Sequence, residues 1–142
     1  MLEEYKSLCE DRQKIIKSQD KGNSRVYHLA KNVNRNLVRH YQIDGVVIDS
    51  ASARKCDFLL INDDKRNAYF IELKGTDILS AVEQLENTEF ILRDALVGYQ
   101  MYYRIVYRSN THGIRASRYT KFVAKKGTHR VLAKTNCIEE NI

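Results

Sequence analysis

The chain has 142 residues, 43% of them hydrophobic and 30% charged, which is one domain's length with enough apolar content for a packed core and argues against disorder throughout. The formal net charge of +6 favours polyanionic partners, nucleic acid or an anionic membrane surface. No apolar stretch approaches the roughly 20 residues that span a bilayer, and Met1-Leu2-Glu3-Glu4 lacks a signal-peptide core. Cys9, Cys56 and Cys137 are widely separated and form no CxxC pair. Neither a zinc cage nor a disulfide framework is expected, and the chain reads as cytoplasmic.

In chain order, Leu2, Tyr5, Leu8, Cys9, Ile15 and Ile16 lie near one helical stripe, which predicts a helix over residues 2–18. Residues 19–24 read as a loop. Ser24 is a cap for a second helix over residues 25–41, with the stripe Val26, Leu29, Ala30, Val33 and Leu37. Residues 46–48 then read as a strand and residues 50–54 as a turn. A second strand covers residues 56–62 and a third runs from Asn67 or Ala68 to Lys74; the hydrophilic turn 63–66 joins them as an antiparallel hairpin. Asp77 caps the next helix, whose apolar positions are Ile78, Ala81, Val82, Leu85, Thr88, Leu92 and Ala95, and Gly98 ends it. Residues 99–108 form an aromatic and β-branched strand, and residues 109–116 a loop. Residues 118–125 and 130–134 read as a basic hairpin, with a frayed end beyond it. The order is α-α-β-β-β-α-β-β-β, an α/β fold around a mixed sheet. It divides into residues 1–24, a core of 25–108 and a basic extension of 109–142.

The hairpin carries the chemistry. If its turn is the four residues 63–66, paired residue numbers sum to 129, and Asp57 falls opposite Glu72. Directly paired residues share a face with Cβ atoms roughly 4.5–5.5 Å apart. Lys74, two residues on, shares that face. Two such carboxylates repel unless a positive charge lies between them. Mg²⁺ suits the place, because it takes one or two carboxylates and keeps several waters. The Leu73 backbone carbonyl adds another oxygen, and Lys74 would serve the attacking water or the charge gathering on phosphorus. The plainer reading is a surface Glu-Lys pair with Asp57 capping a turn. Against it, both strands are apolar on both faces, and charges that interrupt buried strands are costly.

The runs CDFLLI and YFIELKG resemble the core motif of the PD-(D/E)xK nuclease superfamily, which includes restriction enzymes, Holliday-junction resolvases and RecB-like nucleases. The similarity covers residues 25–108. It implies a restriction endonuclease-like α-β-β-β-α-β core and Mg²⁺-dependent hydrolysis of DNA, with Mn²⁺ as a substitute metal. It assigns metal binding to Asp57 and Glu72 and assistance of the attacking water to Lys74. Many relatives also place a glutamine on the helix after this motif, and Gln84 in AVEQL matches it. Two features depart from the pattern. Cys56 stands where a proline often precedes the first acid. The helix expected over residues 25–41 carries no acid, which leaves Asn32, Asn36 and His28 as auxiliary candidates and puts a second metal in doubt.

Nucleic-acid contacts are expected from Arg54, Lys55, Arg118, Lys121, Lys125, Lys126 and Arg130, joined by Arg35 and Arg39 of the second helix. Tyr99, Tyr102, Tyr103 and Tyr107 read as core and sheet-surface aromatics ahead of the alternative that they stack bases. His40, His112 and His129 read as isolated histidines, and Asp44 and Asp49, which flank the first strand, as turn or cap residues ahead of the alternative that either joins the acidic cluster. The chain is therefore expected to be a metal-dependent endonuclease acting on DNA. A homodimer is the assembly this suggests, since two sites cut two strands. Two alternatives stand beside it: an idle nuclease fold serving as a binding or complex-assembly subunit, and a protein-interaction module whose basic face meets an acidic protein.

Overall fold

Alternating apolar residues build two sheets, and a pair of helices covers the outer face of the larger one. A computed structural model describes residues 2–20, 22–48, 55–74, 78–108 and 116–142. The strands are β1 (Ile15–Asp20), β2 (Asn23–Lys31), β3 (Val38–Gln42), β4 (Phe58–Asn62), β5 (Asn67–Lys74), β6 (Gln100–Tyr107), β7 (Val131–Thr135) and β8 (Cys137–Asn141). The helices are α1 (Ile78–Leu92) and α2 (Ser117–Lys126), with short 3-10 turns at Leu2–Glu4 and Arg93–Leu96. Strands β3-β4-β5-β6-β7 form a mixed sheet in that order, and β1-β2-β8 a smaller one. Neighbours β3, β4 and β5 run antiparallel, whereas β6 and β7 continue parallel to β5.

The central hairpin is buried on both sides, as its unbroken apolar runs require. Leu59, Ile61 and Phe70 pack with Ala81, Val82 and Leu85 of α1 and Phe122 of α2. Phe58, Leu60, Tyr69 and Ile71 face the smaller sheet and meet Ile16, Val26, Ala30 and Ile138. Burying each such side chain contributes about 1.5–3 kcal/mol. Parallel β6 and β7 need a crossover, and α2 supplies it. Gly127 follows α2 at φ 106°, and its N–H returns to the Val123 carbonyl at 2.8 Å. Among the described residues no helix is long and apolar enough to cross a membrane.

Five sequence expectations are corrected. Residues 2–18 are not a helix but a 3-10 turn, a loop and β1. Residues 25–41 are β2 and β3 rather than a second helix. Val26 and Ala30, four apart, fit either period; the decisive residue is His28 between them, which is fully buried and completes an alternation that its polarity concealed. Asn32 ends β2 by bonding the carbonyls of Gln13 and Asn36 and the Asn36 N–H. Residues 46–48 form a turn closed by an Asp44–Ile48 bridge, not a strand. Residues 118–125 are helical, because Tyr119, Phe122 and Val123 make a stripe that packs on the core. The chain end does not fray: β8 pairs with β2 and buries Ile138 completely.

Candidate functional site at the end of the central hairpin

Strands β4 and β5 pair from Phe58 with Ile71 to Asn62 with Asn67, the register whose numbers sum to 129. Asp57 and Glu72 stand one step beyond, where the ladder ends. They close it reciprocally: the Asp57 N–H donates to Glu72 Oε1 at 3.1 Å, and the Leu73 N–H donates to Asp57 Oδ2 at 2.8 Å. Glu72 is 1% exposed and Asp57 is half-buried. Lys74 lies two positions past Glu72 as the last residue of β5, level with Tyr107 of β6. Its side chain lies outside the described part of the molecule. This is the C-terminal end of the parallel strands, where open α/β sheets usually hold their ligands.

Helix α1 fixes the approach to Asp57 at two points. Thr88 Oγ1 accepts the Cys56 N–H at 2.8 Å and donates to the Gln84 carbonyl. Gln84 Nε2 donates to the Lys55 carbonyl at 3.1 Å. Gln84 Oε1 is buried and has no hydrogen-bond partner among the described residues. The Cys56 thiol is fully buried; burial, and then the negative charges of Glu72 and Asp57, push its pKa well up, so it is an inert thiol. Lys55 is buried too, its Nζ 3.6 Å from Asp44 Oδ1.

Asp57 also borders a cleft of about 550 Å³ between β1 and β3, shared with Asp20, Asp44 and His40. Burial, then the charge of His28, hold the His40 pKa down to about 4. His40 Nε2 and Ser18 Oγ share a hydrogen bond of 2.8 Å, and the ring stacks on Phe58. Sequence reasoning missed Asp20 and His40 as neighbours of Asp57. Nothing local marks them: Asp20 arrives by the packing of β1 on the hairpin's second face, and His40 by the pairing of β3 with β4, opposite Leu60.

The auxiliary candidates lie elsewhere. Asn32 and Asn36 form the turn after β2. His28 donates to Glu140 Oε2 at 2.7 Å, and Arg104 donates to both oxygens of that carboxylate at 2.7 and 3.0 Å. Burial raises the Glu140 pKa, but the bonds from His28 and Arg104 outweigh it and hold the group at about 2. This network joins β2, β6 and β8 between the sheets.

The expected basic residues divide into two groups. Arg39 is clamped by both oxygens of Asp63 at 2.7 and 2.8 Å, at the far end of the hairpin, and Arg35 bonds Arg12 in a neighbouring loop. Lys126 donates to Glu89 at 2.6 Å, while the Arg130 carbonyl caps the Tyr103 and Arg104 donors. Lys121 and Lys125 are exposed on α2, a helix without an acid, and Arg118 beside them lies only loosely against Glu86 at 4.0 Å. Arg54, Asp49 and His112 lie outside the described residues.

Two hard carboxylates on adjacent strand ends form a donor set suited to Mg²⁺ or Mn²⁺. Among the described residues no group of three or more His, Cys, Asp or Glu is placed as a metal cage; the donor set expected here is the smaller one of Asp57, Glu72 and the Leu73 carbonyl. Compared with known proteins, the chain matches no family model, no curated protein and no solved structure.

Proposed function

We propose that this chain is a metal-dependent endonuclease of the PD-(D/E)xK type that hydrolyses phosphodiester bonds in DNA. The reading is carried by the pairing of Asp57 and Glu72 on adjacent strand ends with Lys74 two positions further along β5. The order β3-β4-β5-α1-β6 supports it, since it follows the β-β-β-α-β part of a restriction endonuclease-like core. In chain order the hairpin β1–β2 precedes these elements, where the resemblance leads one to expect a helix.

Asp57, Glu72 and the Leu73 carbonyl would hold Mg²⁺, which when bound supplies Lewis acidity toward the phosphate and a more acidic water. The backbone clamp keeps both carboxylates in place before any ion arrives. Gln84 holds the Lys55 carbonyl with its amide nitrogen and keeps its oxygen for the site. Lys74 is assigned to orient water and to offset charge on the phosphorus oxygens. Lys121, Lys125 and Arg118 are assigned to the DNA backbone.

The test is a cleavage assay on duplex, single-stranded and branched DNA in Mg²⁺ and Mn²⁺, with the native chain, Asp57→Asn and Lys74→Ala. Cleavage by the native chain alone is expected. Equal activity in all three removes the assignment. One observation favours the idle-fold reading: accepted backbone N–H groups would hold Asp57 and Glu72 together even in a purely structural role. That reading predicts DNA binding without cleavage in either metal.

A further inference from the structure

Of the large apolar side chains exposed among the described residues, Leu8, Ile15, Val33, Val46 and Leu79 are scattered along the chain, whereas Phe90, Ile91 and Val97 fall together within residues 90–97. Phe90 is 65% exposed and Val97 74%. Single exposed apolar residues are ordinary on a protein surface; a cluster marks a contact surface. The cluster follows from the helix. Thr88, Leu92 and Leu96 are buried at four-residue spacing, which leaves Phe90, Ile91, Asp94 and Val97 on the outer side of α1 and of the 3-10 turn that continues it.

The Phe90 ring is held at the surface. The Arg93 guanidinium lies over it at 4.0 Å and donates to the Phe90 carbonyl at 2.7 Å. A fixed aromatic with an arginine, an isoleucine and a valine, and no lysine or glutamate from Phe90 to Val97, is the composition of the centre of a protein interface. Charge then selects the partner. The chain carries +6 overall, so two copies repel over much of their surface. On this patch the charges balance: Arg93 and Asp94 are exposed neighbours of opposite sign, and Glu89 just upstream is neutralised by Lys126 at 2.6 Å. Arg66, at the edge beside Gly98, is turned over the Tyr99 ring at 5.6 Å. Adjacent charges of opposite sign make the patch its own complement under a twofold axis, because Arg93 of each copy then faces Asp94 of the other.

We propose that Phe90, Ile91 and Val97 form the centre of a twofold contact between two copies of this chain, with Arg93 and Asp94 pairing across it. The contact is independent of the nuclease reading, and its test uses no cleavage. So small a patch predicts a weak dimer, with Kd on the order of 10 µM. Sedimentation equilibrium up to about 200 µM, well above that value, measures it. The native chain is expected to pass from monomer to dimer. Phe90→Lys and Val97→Lys, both at exposed positions, are expected to weaken association at least about tenfold with unchanged thermal melts. Arg93→Asp alone and Asp94→Arg alone are expected to stay monomeric, because each sets like charges opposite one another. An equimolar mixture of those two proteins is expected to dimerise, because opposite signs then meet at both positions; this recovery belongs only to a contact between a chain and its own copy. A native chain that is monomeric throughout overturns the proposal and leaves the patch to a different protein. A dimer that survives both lysine substitutions, or a mixture of the charge variants that stays monomeric, overturns it as well.

Discussion

Asp57 and Glu72 hold each other across the end of the β4–β5 ladder: each carboxylate accepts a backbone N–H from the other's strand, at 3.1 Å to Glu72 and 2.8 Å to Asp57. These bonds replace the ladder rung that would come next. They also set two anionic groups side by side. A bound divalent ion would relieve that repulsion.

Glu72→Gln keeps an acceptor for the Asp57 N–H and removes the charge. It is expected to leave the fold intact and to lower cleavage by at least about 100-fold, the scale of losing one charge-stabilising group. Single-turnover rates beside a circular-dichroism melt check this. Loss of folding and activity together would instead make Glu72 a purely structural residue.

Thr88 is fully buried and bonds both the Cys56 N–H and the Gln84 carbonyl. Thr88→Val strands a buried N–H and is expected to cost about 1–3 kcal/mol. Thr88→Ser, which keeps the hydroxyl, is expected to recover most of this. Because Cys56 precedes Asp57, the valine variant is also expected to weaken metal affinity more than the serine variant. Urea unfolding and Mn²⁺ titration read the two effects separately.

Much of this site was legible because its signal is local. The turn 63–66 fixes the register, and the apolar runs on either side fix which strands pair, so the Asp57–Glu72 neighbourhood follows from counting. Helix α1 and strand β6 were equally plain from Ala81, Val82 and Leu85 at helical spacing and from the aromatic run before Arg108. The N-terminal third was not legible. Its β1–β2 pairing depends on β8, more than a hundred positions away, and on burial of His28 against Glu140 and Arg104, none of which appears in a local period. Helix α2 was misread because its apolar residues are few and its charges resemble an exposed edge strand.

The His28–Glu140–Arg104 network ties the smaller sheet to the larger. Glu140→Ala leaves the guanidinium of Arg104, a residue only 6% exposed, without its carboxylate. The expected loss is about 3–5 kcal/mol, as for a broken buried ion pair. A denaturation midpoint unchanged from the native chain would show that the network is dispensable.

Stability is expected to fall on mild acidification. The His40 pKa is about 4 in the folded chain against an ordinary 6.5, so between those values the unfolded chain binds the proton and the native one does not. The loss across that window is on the order of 3 kcal/mol. Glu140, held at about 2 against 4.5, stabilises above 4.5, and its contribution is lost as pH falls toward 2. His40→Gln is expected to flatten the first window and leave the second. Melting temperature against pH for both proteins decides; identical slopes between pH 6.5 and 4 would contradict the assignment.

The two groups of basic residues predict different responses. Lys121→Glu with Lys125→Glu is expected to weaken DNA binding and to reduce the salt slope by about one per lost phosphate contact. Arg39→Ala, which breaks a clamp on Asp63, is expected to lower stability and leave the salt slope unchanged. Binding isotherms at several salt concentrations separate the two.

The central claim is that Asp57 and Glu72 together hold one divalent ion. Titration calorimetry with Mn²⁺ tests it directly, using the native chain, Asp57→Asn and Glu72→Gln at neutral pH. One site per chain is expected in the native protein, weakened at least about tenfold, or 1.4 kcal/mol, by either substitution. Identical isotherms for all three proteins, or none showing binding, would contradict it.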